Sequence, residues 1–163
     1  MANKLSLNVK KSNVILFRRK NEKIPPTNIN INGCPIEEKE YAKYLGILID
    51  NRLAFHQQIQ HVNSRLTRGI AILSMLRHYV PKTTLLNTYH AYIQPHLDYG
   101  INIWGHTYKT HLNSLKRKQR KAIRIMNFKS KHYNPQELFI SDRVLPFDEN
   151  LQLSAGKLLW NYI

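Results

Sequence analysis

Hydrophobic and polar residues alternate along this chain with two different periods, and the change falls near residue 50. Leu5-Ser6-Leu7-Asn8-Val9 and Asn28-Ile29-Asn30-Ile31-Asn32 alternate with period two, the pattern of half-buried strands. Asn13-Val14-Ile15-Leu16-Phe17 is a short run of strand formers stopped by Arg18-Arg19-Lys20. Ile24-Pro25-Pro26-Thr27 breaks the pattern, because neither proline can donate to a ladder, and Gly33 marks a turn. Tyr44-Leu45-Gly46-Ile47-Leu48-Ile49-Asp50 reads as the last and most buried strand of a small antiparallel sheet. Asp50 is then either a carboxylate delivered to a strand end for chemistry or the polar stop of that strand.

Beyond Asp50 the period lengthens to about 3.6. Phe55, Ile59, Val62, Leu66, Ile70, Leu73 and Leu76 share one helical stripe. Pro81 suits the first turn of a second helix, whose stripe is Leu85, Leu86, Tyr89, Tyr92 and Ile93, broken at Pro95. Tyr99 to Gly105 is an aromatic segment flanked by glycines, and a third helix over about 111–127 buries Leu112, Leu115, Ala122, Ile123 and Met126. The expected class is α+β: a small antiparallel sheet followed by a mainly helical bundle. The expected divisions are 1–51, 52–131 and a C-terminal connector, 132–163, that ends without a cap.

Charge sharpens this picture. The 163 residues carry 25 Lys and Arg against 10 Asp and Glu, a formal net charge of +15, which favours polyanionic partners. Between residues 51 and 136 there are fourteen Lys and Arg and one acid, Asp98. Arg117, Lys121 and Arg124 recur at i, i+4 and i+7 with Arg120 between them, forming a basic ridge beside the apolar stripe. An ordinary solvated face would interleave Glu for i,i+4 pairing, and none occurs from Tyr99 to Gln136. A phosphate-facing helix is therefore the stronger reading. Cys34 is the sole cysteine, which excludes an intramolecular disulfide and a cysteine-based zinc site. The eight histidines make no HxxxH pair, so no metal site is expected. No carboxylate pair ends a strand, as two-metal catalysis would need. No apolar run approaches the roughly 20 residues of a membrane span, so an intracellular protein without a membrane partner is expected.

Several landmarks occur in an order that resembles the reverse transcriptases of non-LTR (LINE-type) retrotransposons. Asn3 to Ser12 followed by Val14 to Phe17 is similar to that family's "N-x-L-x-L-N-x-x-K-T…F". Lys43 to Asp50 resembles "K-Y-L-G-I-x-x-D", and Leu53 to His61 resembles "L-x-W/F…H-I". Tyr89, Pro95 to Gly100, Trp104 and Gly105 resemble "Y…P-x-L-x-Y-G…W", and Gln119 to Ile125 resembles "Q-x-x-A-I-R". Together these cover nearly the whole chain.

The resemblance implies the end of a polymerase palm, 1–51, and a helical thumb, 52–131, of an RNA-directed DNA polymerase. The family's catalytic aspartates would lie upstream of Met1, so the chain is expected to be a fragment, inactive alone, with Mg2+ expected only in a full-length polymerase. Its partners would be RNA template and DNA primer, together with the upstream palm and fingers. Lys11 matches a lysine able to act as general acid, with Ser12 replacing the usual threonine. Tyr44, Leu45 and Gly46 match the turn that supports the primer's 3′ end, with Gly46 permitting close backbone approach. On the first helix Gln58, His61, Arg65 and Arg68, and on the third Arg117, Arg120, Lys121 and Arg124, are the expected nucleic-acid contacts, aimed at the backbone of a near-A-form hybrid. Two alternatives remain open: a domesticated, non-enzymatic RNA- or DNA-binding adaptor, and a decayed copy.

Overall fold

The computed structural model describes residues 8, 12–19 and 28–160. The chain divides into two compact units, Met1–Phe55 and His56–Ile163, so the boundary falls a few residues beyond the expected one at 51/52. The expected strand Leu5–Val9, the Pro25-Pro26 break and Lys11 lie outside the described residues, save for Asn8.

The first unit is built from short paired strands: β1 (Asn13–Val14), β2 (Asn30–Ile31), β3 (Cys34–Pro35), β4 (Glu37–Glu38), β5 (Tyr41–Tyr44) and β6 (Ile47–Asp50). Among the described residues they form three two-stranded ladders, where the alternation predicts one small antiparallel sheet. β2–β3 and β5–β6 are antiparallel hairpins, whereas β1 runs parallel to β4, with Asn13 opposite Glu37. The Arg18 guanidinium, 3.1 Å from Glu38, adds a side-chain tie between these segments. YLGILID is not one strand. It reverses direction at Leu45-Gly46, so that Tyr44 pairs with Ile47. Only the β6 half is inward: Ile47 and Asp50 are buried, while Tyr44 and Leu45 are exposed. The expectation of a single buried strand overlooked that a glycine in the second place of a two-residue loop is a hairpin signal.

Asp50 ends β6 and organises the turn that follows. Its Oδ1 accepts the backbone N–H of Arg52 at 3.0 Å and of Ala54 at 3.1 Å, and its Oδ2 accepts that of Phe55. Leu53 and Phe55 both have left-handed backbone, with φ of 53°, a conformation uncommon for large side chains. A carboxylate accepting three N–H groups holds such a turn in place, so Asp50 is the polar stop.

The second unit contains α1 (His56–Leu76), α2 (Lys82–Tyr92), α3 (Gln94–Asp98), α4 (Ile101–Trp104), α5 (Lys109–Met126), α6 (Gln136–Ser141) and α7 (Phe147–Trp160). The α+β class stands. The three expected helices correspond to α1, α2 and α5, which pack on one another. Ile59, Val62, Leu66, Ile70 and Leu73 of α1 are buried as their spacing implies. Tyr92, assigned to the α2 stripe, is instead exposed. Gly69 lets α1 approach the end of α2 closely: a Cβ there would lie 2.7 Å from Ile93 Cγ1 and 2.9 Å from the Tyr92 carbonyl oxygen. Pro95 does not end the helical region but opens α3. The aromatic segment becomes α4, where buried Trp104 donates its indole N–H to the Tyr99 carbonyl and lies against Phe147. Leu138, Phe139, Val144 and Phe147 are buried, so the expected connector contributes core side chains to this unit.

Gln119 is the polar centre of the bundle. It is 1% exposed, yet its amide is fully used. Nε2 donates to the Tyr89 hydroxyl and to the Leu145 carbonyl, both at 3.0 Å, and Oε1 accepts the Phe147 N–H at 2.9 Å. Burial pushes the Tyr89 phenol well above its usual range, against the opposing effect of the Gln119 bond. A second polar knot joins three segments. Lys82 Nζ lies 2.5 Å from Asp142 Oδ1 and 2.7 Å from Asn127 Oδ1, and Asn127 Nδ2 donates to Asp142 Oδ2 at 2.6 Å.

Gln119→Leu leaves the Phe147 N–H and the Leu145 carbonyl without their partner. About 2–4 kcal/mol of stability is expected to be lost, measured by urea unfolding of the whole chain. Lys82→Met leaves the buried Asp142 carboxylate without its cation. Because Lys82 is half-exposed, the expected loss is only about 1–2 kcal/mol, and Asp142→Asn in the same chain should recover most of it.

Candidate nucleic-acid interface

The longest basic face belongs to α5. Leu112, Leu115, Gln119, Ala122, Ile123, Ile125 and Met126 are buried along one side. At 100° per residue, Arg117, Arg120 and Lys121 project from the opposite side, and all three are exposed. Arg124 serves the fold instead. It is half-buried, and its Nε donates to the Tyr133 carbonyl at 2.8 Å. Lys118 points sideways to α1, where its ammonium reaches the Asn63 carbonyl at 2.7 Å and the Thr67 hydroxyl at 2.6 Å. Partial burial, and then the charge of Lys121, lower its pKa. Asn63 of α1 adds a further tie between the two helices, donating to Ser114 at 2.7 Å. The ridge left open to solvent is thus Arg117, Arg120 and Lys121.

A second basic face lies on α1. His61, Arg65 and Arg68 are exposed. Gln58 is not: at 3% exposure it belongs to the buried side, so its expected place among the surface contacts is corrected. A glutamine on an amphipathic helix normally faces outward, and here the packing of other segments overrides that preference. His96, from α3, joins this face. Burial first, then the charges of Arg65 and His61, lower its pKa. No signal in the sequence pointed to His96, since its neighbours come from another helix. The expected contacts therefore fall into two groups, one on α5 and one on α1 beside α3.

The Tyr44-Leu45-Gly46 segment forms the tip of the β5–β6 hairpin. Leu45 has φ of 45° and Gly46 of 85°, the two positive values of a type I′ turn. The β2–β3 hairpin makes the same turn with Asn32 at 51° and Gly33 at 76°, using the residue pair that fits it best. Leu45 stands where asparagine is favoured, and its side chain is 73% exposed beside Tyr44 at 67%. Among the described residues no group of three or more His, Cys, Asp or Glu is placed to hold a metal ion, and no helix is long and apolar enough to cross a membrane.

Paired strands with an outward apolar tip and a helical unit with acid-poor basic faces define an α+β protein suited to polyanions. Comparison with known proteins makes this specific. The chain is 31% identical over 125 residues to a protein described as a probable RNA-directed DNA polymerase from the transposon X-element of Drosophila melanogaster, covering 75% of this chain and 14% of that protein. It is 25% identical over 158 residues to the RNA-directed DNA polymerase from the mobile element jockey of the same species, covering 94% of this chain and 17% of that protein. The jockey polymerase of Drosophila funebris is 29% identical over 99 residues, covering 59% of this chain and 11% of that protein. The chain is homologous to RNA-directed DNA polymerases of non-LTR retrotransposons, and it spans less than a fifth of the length of these relatives. No protein-family model matches the chain, and no solved structure matches it.

Leu45→Asn removes a branched side chain from left-handed backbone. Stabilisation of the β5–β6 hairpin by about 1 kcal/mol is expected, read as slower hydrogen exchange of the Tyr44 and Ile47 amides, the hydrogen-bonded pair that closes the loop.

Proposed function

We propose that the chain forms the template–primer-holding part of a retrotransposon reverse transcriptase, in which the helical unit acts as a thumb on an RNA·DNA hybrid. The observation that carries this reading is the exposed face of α5 with Arg117, Arg120 and Lys121, on a helix that itself contains no acid. A hybrid duplex is near A-form and is recognised through its backbone and shallow minor groove. A straight row of cations suits such a duplex, because each phosphate neutralised releases condensed counterions without reading a base. The α1 group of His61, Arg65 and Arg68, with His96 beside it, supplies a second set of backbone contacts.

The hairpin tip supports the primer's 3′ end in this reading. Tyr44 and Leu45 give an apolar shelf, and Gly46 leaves room for a sugar-phosphate to pass close to the protein backbone. Lys11 acts as general acid toward the departing pyrophosphate. Mg2+ would be held by carboxylates of a full-length polymerase, and this chain would contribute grip, placement and the Lys11 proton.

Charge reversal of Arg117, Arg120 and Lys121 to Glu is expected to weaken hybrid binding and to flatten its salt dependence by up to about one unit of slope per lost contact. Fluorescence anisotropy with a labelled RNA·DNA hybrid across a salt series measures this. An unchanged slope would falsify the assignment of α5 to the duplex backbone.

A further inference from the structure

We propose that the groove between α5 and the first turn of α7 is a phosphate-binding site, and that Asp148 occupies it in the free protein as a built-in competitor. The groove, of about 430 Å³, is lined by Asn113, Lys116, Arg117, Arg120 and Asp148. Asn113, Arg117 and Arg120 follow one another at i, i+4 and i+7 on α5, with Lys116 one turn before Arg120. They present an amide, two guanidinium forks and an ammonium to one space. This is the donor set that a tetrahedral phosphate oxyanion uses, forks for its paired oxygens and an ammonium as a point charge.

The one acid lining the groove touches its least exposed cation. Asp148 Oδ1 lies 2.6 Å from Lys116 Nζ; the lysine side chain is 19% exposed and the carboxylate 60%. Lys116 is therefore held in position at the wall, while its present partner sits toward solvent. Such a pair is weak, so a phosphate that also gains Arg117 and Arg120 can take the place of the carboxylate. Asp148 has a second reason to remain near, because it stands in the first turn of α7, where negative charge is favoured. The arrangement is an anion site whose occupant is exchanged on binding, and Asp148 sets the affinity.

The phosphate could be free or part of a nucleic-acid backbone. That the occupant is a backbone phosphate rests on the proposed hybrid binding, whereas the anion site itself does not. The test has two arms. In the first, the protein labelled with 15N in its Lys and Arg side chains is titrated with inorganic phosphate. Saturable shifts at Lys116, Arg117 and Arg120 are expected, and Asp148→Asn should tighten binding by up to about fivefold, an exposed ion pair's worth. Lys116→Met or, should that variant fold poorly, the exposed Arg120→Gln should weaken it. Absence of shifts at these three residues, or an affinity indifferent to Asp148→Asn, overturns the site.

In the second arm Asp148→Asn is compared with the natural chain for RNA·DNA hybrid affinity over a salt series. Tighter binding, with unchanged dependence on the α1 group, assigns the groove to the backbone. Hybrid affinity that ignores Asp148→Asn while inorganic phosphate still binds overturns the backbone assignment. If phosphate binds as expected and the hybrid does not bind at all, the nucleic-acid reading fails and the anion site stands.

Discussion

The helical unit depends on one buried amide. Gln119 sits in the apolar face of α5, where an unpaired polar group would cost several kcal/mol. It is tolerated because three groups from two other segments complete it: the Tyr89 hydroxyl of α2, and the Leu145 carbonyl and Phe147 N–H of the turn that leads into α7. A leucine would pack as well and could fill the space. What it could not do is fix the register of the 145–147 turn, since apolar contact is not directional and hydrogen bonds are. With the turn fixed, Phe147 reaches Trp104 and the first turn of α7 comes to lie beside Lys116. The family-like landmarks Tyr89, Trp104 and Gln119 thus share a structural reason for their identity that involves no ligand.

The same logic sorts the cations. A basic helix looks uniform in sequence, but its charges hold different roles once packed. Lys118 ties α5 to α1 and Arg124 ties it to Tyr133. Lys116 meets Asp148. Arg117, Arg120 and Lys121 are directed at solvent, and no acid on α5 itself offsets them. A row of three such cations repels itself, which a fold would not select for stability alone. In the proposed complex a polyanion would relieve that repulsion, and the energetic cost in the free protein would become binding energy.

The sequence was most informative where period and burial agree. The stripe on α1 and the apolar side of α5 follow from spacing alone, because a helix repeats its geometry and each position predicts the next. Asp50 as a polar stop was likewise open to reading from a carboxylate between a strand and a helical period. What could not be read depends on partners distant in the chain. Gln58 and Gln119 are buried glutamines whose burial is set by other segments, and Tyr92 leaves its expected stripe because α2 ends and α3 begins around Pro95. The groove at Lys116 needs Asp148, thirty-two positions away, and no local pattern brings the two together. The strands were the least legible, since two-residue ladders carry too few alternations to define register.

The two hairpins of the first unit separate folding from function. Both make a two-residue turn with left-handed backbone at each position. At Asn32-Gly33 the residues fit that backbone, and at Leu45-Gly46 the first does not. Left-handed geometry costs an ordinary side chain roughly 1–2 kcal/mol, a sum that Leu45 does not recover by burial, being largely exposed. A strained, outward apolar residue at a hairpin tip is therefore unexplained by the fold that contains it. Strain of this kind persists where a local geometry serves a site, and exposed Tyr44 beside it extends the same apolar surface. On the primer-supporting role proposed for it, this exposed apolar tip is the part of YLGILID that would meet nucleic acid, while the buried carboxylate end holds the turn before α1.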